Sequence, residues 1–266
     1  MIRKFRWLLI ALIILMSGYV ILDATWLSVN RLKIRELVIS DSSIPLALDD
    51  TEILVFSDSY GNEKQLKKVL KIVEDNQPDF IIFIGNLLSE SPQETEIIQN
   101  TLKTMDAPLG KYAILGEKDY LMDTETIETI FQDSDFRIIK NKILPMHRFS
   151  DDYILFSFLD QKHEGYQDAL LLSKDLEQFT LIFNHSPSIV TQLEGTQNIL
   201  IAGETQRGKV NIPLLGSIYY KDSYTEVHQK VNNTDLYLTS GIGTSEPEFR
   251  FMADPDVLYI TLKSSQ

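Results

Sequence analysis

Five side chains with chemistry to offer, Asp58, Asn86, Glu117, His185 and Glu204, each fall one to a few residues past a short apolar run that reads as a strand. In open α/β sheets, functional groups gather in the loops at the carboxyl ends of strands. Carboxylates and imidazoles are the side chains that hold divalent cations, and such cations activate water. A lone histidine at a strand end is more often a satisfied structural residue than a ligand. The convergence of all five, and no single one of them, marks a site. His147, His163 and His228 lack that context and read as surface or loop residues. Asp41, Asp49, Asp50 and the acidic stretch 123–128 read as solvated faces or helix N-terminal residues.

The elements that must position these groups alternate in the first half of the chain. Residues 53–57 (ILVFS) and 80–84 form continuous apolar runs of the buried-strand kind, and 111–115 supplies a third. Between them, Leu66, Val69, Leu70 and Val73 recur at helical spacing within residues 63–76, and 97–105 reads as a second helix. Residues 29–38 partly alternate and predict an edge strand. In the second half, 136–143, 153–159, 180–183, 198–202, 235–238 and 257–262 all predict strands, and 186–193 at best a short helix. This pattern predicts two facing sheets with helices outside.

Composition bounds the rest. The 266 residues suit one anchor plus a single α/β domain, with 44% hydrophobic and 24% charged residues. A formal net charge of −13 makes the electrostatic term of nucleic-acid binding repulsive, which excludes nucleic acid as a partner. The absence of cysteine excludes disulfides, thiolate ligands and a cysteine nucleophile. Arg3, Lys4 and Arg6 precede an apolar stretch from Trp7 to Leu22, which Ala24, Trp26 and Leu27 extend past Asp23. With Trp7 and Trp26 near opposite ends, this reads as an uncleaved single-pass anchor over residues 1–28, its basic end cytoplasmic. Residues 29–266 then form an extracytoplasmic domain on the cell membrane. A cleaved signal peptide is the rival reading, without a clear small-x-small cleavage site to support it.

At the five loops the chain resembles the calcineurin-like metallophosphoesterases, in particular their small membrane-associated bacterial branch. The family pattern runs D-x-H, G-D, G-N-H-D, a lone H, and G-H-x-H. Here the blocks read FSDSYGN, PDFIIFIGNLL, APLGKYAILGEKDY, LIFNHSPSIV and IAGETQRGKVNIPLLG, followed by YLTSGIGTSEPEFRF with its G-x-G-T-S turn. Asp58 and His185 are kept. Tyr60, Asn86, Glu117, Lys118, Glu204 and Gln206 stand where the pattern has His, Asp, Asn, His, His and His. The resemblance spans residues 29–262 and implies a four-layer α/β/β/α sandwich preceded by one transmembrane helix. It also implies two metal sites. One would comprise Asp58, Tyr60, Asn86 and Gln206, the other Asn86, Glu117, His185 and Glu204, with Lys118 at the position of the catalytic histidine.

Those departures bear directly on the chemistry. Two metals about 3.5–4 Å apart stabilise the attacking and leaving oxygens of an in-line displacement. The neutral amide of Asn86 removes the anionic bridge between them, and Gln206 and Tyr60 are poor replacements for imidazole. A dinuclear pair is therefore not expected. Glu117, His185 and Glu204 could hold one Mn²⁺, Zn²⁺ or Fe²⁺, with Asp58 and Asn86 left as vestigial positions. The competing expectation is that Glu117, Glu204 and Asp58 pair with Lys118 and Arg207. Three functions follow: a non-catalytic pseudoenzyme binding a ligand or partner, a residual one-metal phosphodiesterase or pyrophosphatase acting on envelope lipids, or a structural surface protein.

Overall fold

The computed structural model describes residues 2–89, 95–160, 178–193, 198–212, 214–217 and 224–265. His163 lies outside them. The chain opens with α1 (Ile2–Leu22), which runs through a π-helical turn at Asp23–Leu27 into the short α2 (Ser28–Asn30). Then come β1 (Lys33–Asp41), β2 (Glu52–Phe56), α3 (Glu63–Asn76), β3 (Phe80–Ile84), α4 (Thr95–Thr104), β4 (Gly110–Ile114), α5 (Glu117–Leu121), α6 (Thr124–Asp133) and β5 (Phe136–Ile138). The second half carries β6 (Lys142–His147), β7 (Tyr153–Phe158), β8 (Thr180–Phe183), β9 (Asn198–Ala202), β10 (Asn211–Ile212), β11 (Gly216–Ser217), β12 (His228–Val231), β13 (Thr234–Leu238) and β14 (Asp256–Ser264).

Two six-stranded sheets result, in the orders β1-β14-β2-β3-β4-β5 and β12-β13-β9-β8-β7-β6. Within β2 and β3 alternate side chains serve two cores, which is why both runs are apolar throughout. Ile53, Val55, Phe80 and Ile82 face inward onto Phe156, Phe158, Leu181 and Phe183 of the second sheet. Leu54, Phe56, Ile81 and Phe83 face outward onto Leu66 and Val69 of α3, Ile98 and Leu102 of α4, and Ile127 and Phe131 of α6. The outer face of the second sheet is covered by Ile189, Val190 and Leu193, on and beside the 3₁₀ helix Pro187–Gln192. The α/β sandwich expected from the alternating pattern is thus the observed one.

Two predicted boundaries differ, and one strand was not predicted. The strand predicted over 29–38 starts only at Lys33, because the helix continues to Asn30 and Gln65 Nε2 caps the Val29 carbonyl at 2.7 Å. The strand predicted over 136–143 is two strands in different sheets. The chain crosses between them at Asn141, whose φ is +50° and whose side-chain oxygen accepts the Asp160 N–H. Edge strand β12 carried no clear apolar pattern, having alternate residues exposed; a tight turn at Asn232 (φ +54°) pairs it with β13.

Helix α1 and the π turn enter at the same end of the sandwich as the carboxyl ends of β2, β3 and β4. Lys33 lies beside Asp256 at the start of β14, and β14 runs antiparallel to β2. The junction is tied down by Asp23, which accepts from Ser28 Oγ and pairs with Arg31, and by Asp254, which pairs with Arg31 and Lys33. Among the described residues one apolar helix, Arg3–Asn30, is long enough to cross a membrane: 28 residues at 1.5 Å each give roughly 42 Å against about 30 Å of hydrocarbon.

Candidate functional site

The carboxyl ends of β2, β3, β8 and β9 bring Asp58, Tyr60, Asn86, His185 and Gln206 into one cluster, with Asp58, Asn86, His185 and Gln206 buried. Its backbone is unusual. Asp58, Tyr60, Asn86, Glu204 and Gln206 all have positive φ, between 45° and 65°, a region that non-glycine residues seldom occupy, although turns elsewhere in the chain such as Asn141 and Asn232 use it too. Glycines permit the close approach. Gly85 has φ +94°, and a Cβ there would come 2.6 Å from His185 Nδ1, while a Cβ on Gly116 would collide with the Asn86 amide.

The Asp58 carboxylate is surrounded by neutral donors. Ser57 Oγ donates to Oδ2 at 2.5 Å and the Glu204 N–H at 3.3 Å; Tyr60 OH and Asn86 Nδ2 donate to Oδ1 at 3.1 and 2.9 Å. Asn86 is the hub. Its amide oxygen accepts the Lys118 N–H at 3.0 Å, which fixes which way the amide points. Its nitrogen then reaches both Asp58 Oδ1 and His185 Nε2 at 2.9 Å. His185 Nδ1 lies 2.7 Å from the Ile84 carbonyl, which can only accept. The ring is therefore a neutral Nδ1–H tautomer with its Nε2 lone pair facing the amide. Burial opposes the imidazolium, but Asp58 and Glu204 outweigh it and push His185 above the ordinary range. Protonation would set an Nε2–H against the amide N–H, so the hydrogen-bond geometry favours the neutral ring.

Neutral donors cage Asp58, and Arg207, one of the two cations expected to balance the carboxylates here, is placed elsewhere. Arg207 turns away from the cluster, donating to the Thr225 carbonyl at 3.0 Å and lying 3.7 Å from Asp256. Glu204 contributes its backbone N–H to Asp58 while its side chain is half-buried. Glu117 starts α5, also half-buried, and Lys118 follows it with its backbone N–H on Asn86. His147 and His228 are exposed, as expected of surface residues.

Three supports escaped the reading of the sequence. Asp119, fully buried, accepts N–H groups from Asn86 at 2.7 Å, Leu87 at 2.8 Å and Gly116 at 2.9 Å, bracing the two loops together. Burial raises its carboxyl above the usual range, against the pull of those three donors. An Asp at the third position of a helix that opens with Gly116 was its available signal. Arg250 is buried too, and binds the Ser240 carbonyl (2.8 Å), the Gly243 carbonyl (2.5 Å), the Ala253 carbonyl and the Ser240 and Thr244 hydroxyls. Burial lowers its pKa to about 10. Lys209, likewise buried, donates to the carbonyl and hydroxyl of Ser245, and that hydroxyl accepts from Gln206 Nε2 at 2.8 Å.

Whether these residues suit a metal pair is answered by their hydrogen bonds. A bridging position needs an anionic oxygen, whereas here an amide nitrogen directs N–H bonds at the two groups, Asp58 and His185, that would have to face the metals. Among the described residues no three His, Asp or Glu side chains are gathered at ligand spacing. The buried Gln206 Oε1, which lacks a hydrogen-bond partner, is a neutral oxygen and a weak ligand for a transition metal. The donor set does not fit a dinuclear pair.

Comparison with known proteins shows what the chain resembles. The chain is 25% identical over 256 residues to an uncharacterized metallophosphoesterase, YkuE, of Bacillus subtilis, covering 91% of this chain and 89% of that one. It is 22% identical over 212 residues to an uncharacterized metallophosphoesterase of Aquifex aeolicus, covering 76% and 79%. A shorter match, 30% identical over 106 residues, covers 36% of this chain and 32% of the UDP-2,3-diacylglucosamine pyrophosphatase LpxG of Chlamydia muridarum. The crystal structure of the calcineurin-like phosphoesterase YfkN from Bacillus subtilis aligns with a TM-score of 0.45 at 10% identity, over 80% of this chain and 91% of that one. A family model for calcineurin-like phosphoesterases matches residues 51–240, most of the globular part, and the chain therefore belongs to the calcineurin-like phosphoesterase family.

Proposed function

We propose that this is a membrane-anchored, non-catalytic member of its family, whose former catalytic cleft binds a ligand or protein partner. The observation that carries the reading is the Asn86 amide, within 2.9 Å of both Asp58 Oδ1 and His185 Nε2. Hydrogen bonds there do what cations do in a metal centre: they satisfy a buried carboxylate and orient an imidazole. Helix α1 supports the anchor. Its length suits a bilayer, and most of its side chains are exposed rather than packed on the domain. With Arg3, Lys4 and Arg6 on the cytoplasmic side, the sandwich lies outside the cell membrane.

The test is metal content together with turnover. Full-length protein, purified in detergent and dialysed against Mn²⁺, Zn²⁺ and Fe²⁺ in turn, is expected to retain no stoichiometric metal by plasma mass spectrometry. It should also leave a generic phosphodiester intact. One retained equivalent, lost in Glu204→Ala, would instead favour a residual one-metal hydrolase using Glu117, His185 and Glu204. The partial likeness to a lipid-precursor pyrophosphatase keeps that second reading in view, and envelope-lipid pyrophosphates would then be its substrates.

A further inference from the structure

The end of the sandwich that carries the cleft also carries its most prominent exposed apolar residues next to the helix. At the tip of the β10–β11 hairpin, Leu214 and Leu215 project into solvent, Leu214 fully and Leu215 at 75% exposure. The hairpin is joined to the segment around Phe251, whose carbonyl accepts the Asn211 N–H at 2.8 Å and whose N–H donates to the Lys209 carbonyl at 3.0 Å. Met252 follows, exposed, and Arg250 donates its backbone N–H to the carbonyl of Ala24 in the π turn at 2.9 Å. Trp26 stands exposed on that same turn. Short backbone links thus run from the hairpin to the point where α1 leaves the domain.

We propose that Leu214, Leu215 and Met252, together with Trp26, form a second membrane contact that dips into the outer face of the bilayer spanned by α1. This rests on the reading of α1 as an anchor. Continuity identifies the occupant: the helix places a bilayer beside Ala24, one hydrogen bond from the Arg250–Met252 segment. Charge works against the contact, because a chain with net charge −13 is repelled by anionic lipid, so the exposed apolar side chains must supply the adhesion. Docking at this end turns the cleft toward the headgroup plane. The ligand class it implies is one presented at a membrane surface, such as a lipid headgroup.

The complete absence of cysteine makes the test direct. Single substitutions Leu214→Cys, Met252→Cys, Leu12→Cys in α1, and Phe149→Cys at the opposite end of the sandwich each give one labelling site for an environment-sensitive fluorophore. Full-length protein in liposomes is then quenched from water by iodide and from the bilayer by brominated lipid. The labels at 214 and 252 are expected to follow the label at 12, with several-fold stronger lipid-phase quenching than the label at 149. Labels at 214 and 252 that behave like 149 while 12 remains lipid-exposed overturn the docking and leave the anchor standing. Labels at 214 and 252 shielded from both quenchers point to a protein cover and also overturn it. A label at 12 open to iodide removes the anchor, and the docking with it.

Discussion

Replacing Asn86 by Asp restores the carboxylate that the family pattern has at this position, and should destabilise the protein. The amide makes two bonds of 2.9 Å through its nitrogen, one to the charged Asp58 and one to the neutral His185. Hydrogen bonds to charged groups contribute about 1.5–3 kcal/mol and neutral ones about 0.5–1.5 kcal/mol, so their loss alone costs roughly 2–4 kcal/mol. A carboxylate oxygen would take the place of the N–H and face Asp58 Oδ1 directly, a buried like-charge contact that only protonation of His185, 3.9 Å from Asp58 Oδ1, could relieve. The Lys118 N–H would still hold the other oxygen. For a chain of this size that loss lowers the melting temperature by about 4–16 °C.

The pH dependence gives the sign independently. Two carboxylates in contact raise the pKa of the pair above the unfolded value near 4. A group whose folded pKa is raised stabilises fully below the unfolded pKa, and that contribution is lost as pH rises through the folded value. Asn86→Asp should therefore come closest to the wild type at acid pH and fall furthest behind at pH 8. Adding Mn²⁺ at pH 8 should leave the wild type unchanged. It should raise the melting temperature of the variant to the extent that the new carboxylate recovers a metal site. The assay is thermal unfolding of detergent-solubilised full-length protein followed by intrinsic fluorescence. A variant as stable as the wild type at pH 8, or a wild type stabilised by Mn²⁺, would refute the view that the amide substitutes for the bridge.

Other parts of the site give further expectations. Removing Asp119 as Asp119→Ala leaves three buried N–H groups unsatisfied and should cost about 3 kcal/mol or more, with faster hydrogen exchange confined first to Asn86, Leu87 and Gly116. Burial lowers the Lys209 ammonium to about 8, so the unfolded chain holds that proton more tightly. Stability relative to a Lys209→Met variant should then rise by about 3 kcal/mol between pH 8 and 10.5, measured by urea unfolding; a pH-independent difference would mean the buried amine is not destabilised.

How much of this was legible in the residues depended on what kind of signal each feature leaves. The continuous apolar runs at β2, β3, β4 and β8 fixed the central strands because both faces of those strands are buried. The loops following these strands then located Asp58, Asn86 and His185 correctly. The crossing at Asn141 was invisible, because strand propensity continues through it and only tertiary pairing assigns the two halves to different sheets. The partners of Asp58 could not be foreseen either. Charge balance suggested Arg207 among them, but a network of neutral donors satisfies a carboxylate without burying a second charge, and Arg207 is drawn instead toward Asp256. The Asp119 brace left only the weak signal of an Asp at the third position of α5, and the Arg250 clamp, which acts mostly on backbone carbonyls, left no side-chain pattern.

Glu204 separates a structural remnant from a working ligand. Its φ of +65° suits Asn or Gly better than Glu, and non-glycine residues held in sparsely populated backbone regions carry strain of order 1–3 kcal/mol. What the cage takes from this position is the backbone N–H, which any residue but proline supplies. Glu204→Asn keeps that N–H and tolerates the left-handed conformation without the entropic penalty of glycine. It also removes one of the three carboxylates (Asp58, Glu204 and Asp119) that pull His185 toward protonation, and so favours the neutral ring that the Asn86 bond requires. If the carboxylate is idle, the variant should be about 1 kcal/mol more stable than the wild type with unchanged ligand binding. If instead Glu204 holds a cation with His185, the same change should abolish metal retention. The strain would then be maintained for the carboxylate itself, as strained residues at working sites usually are.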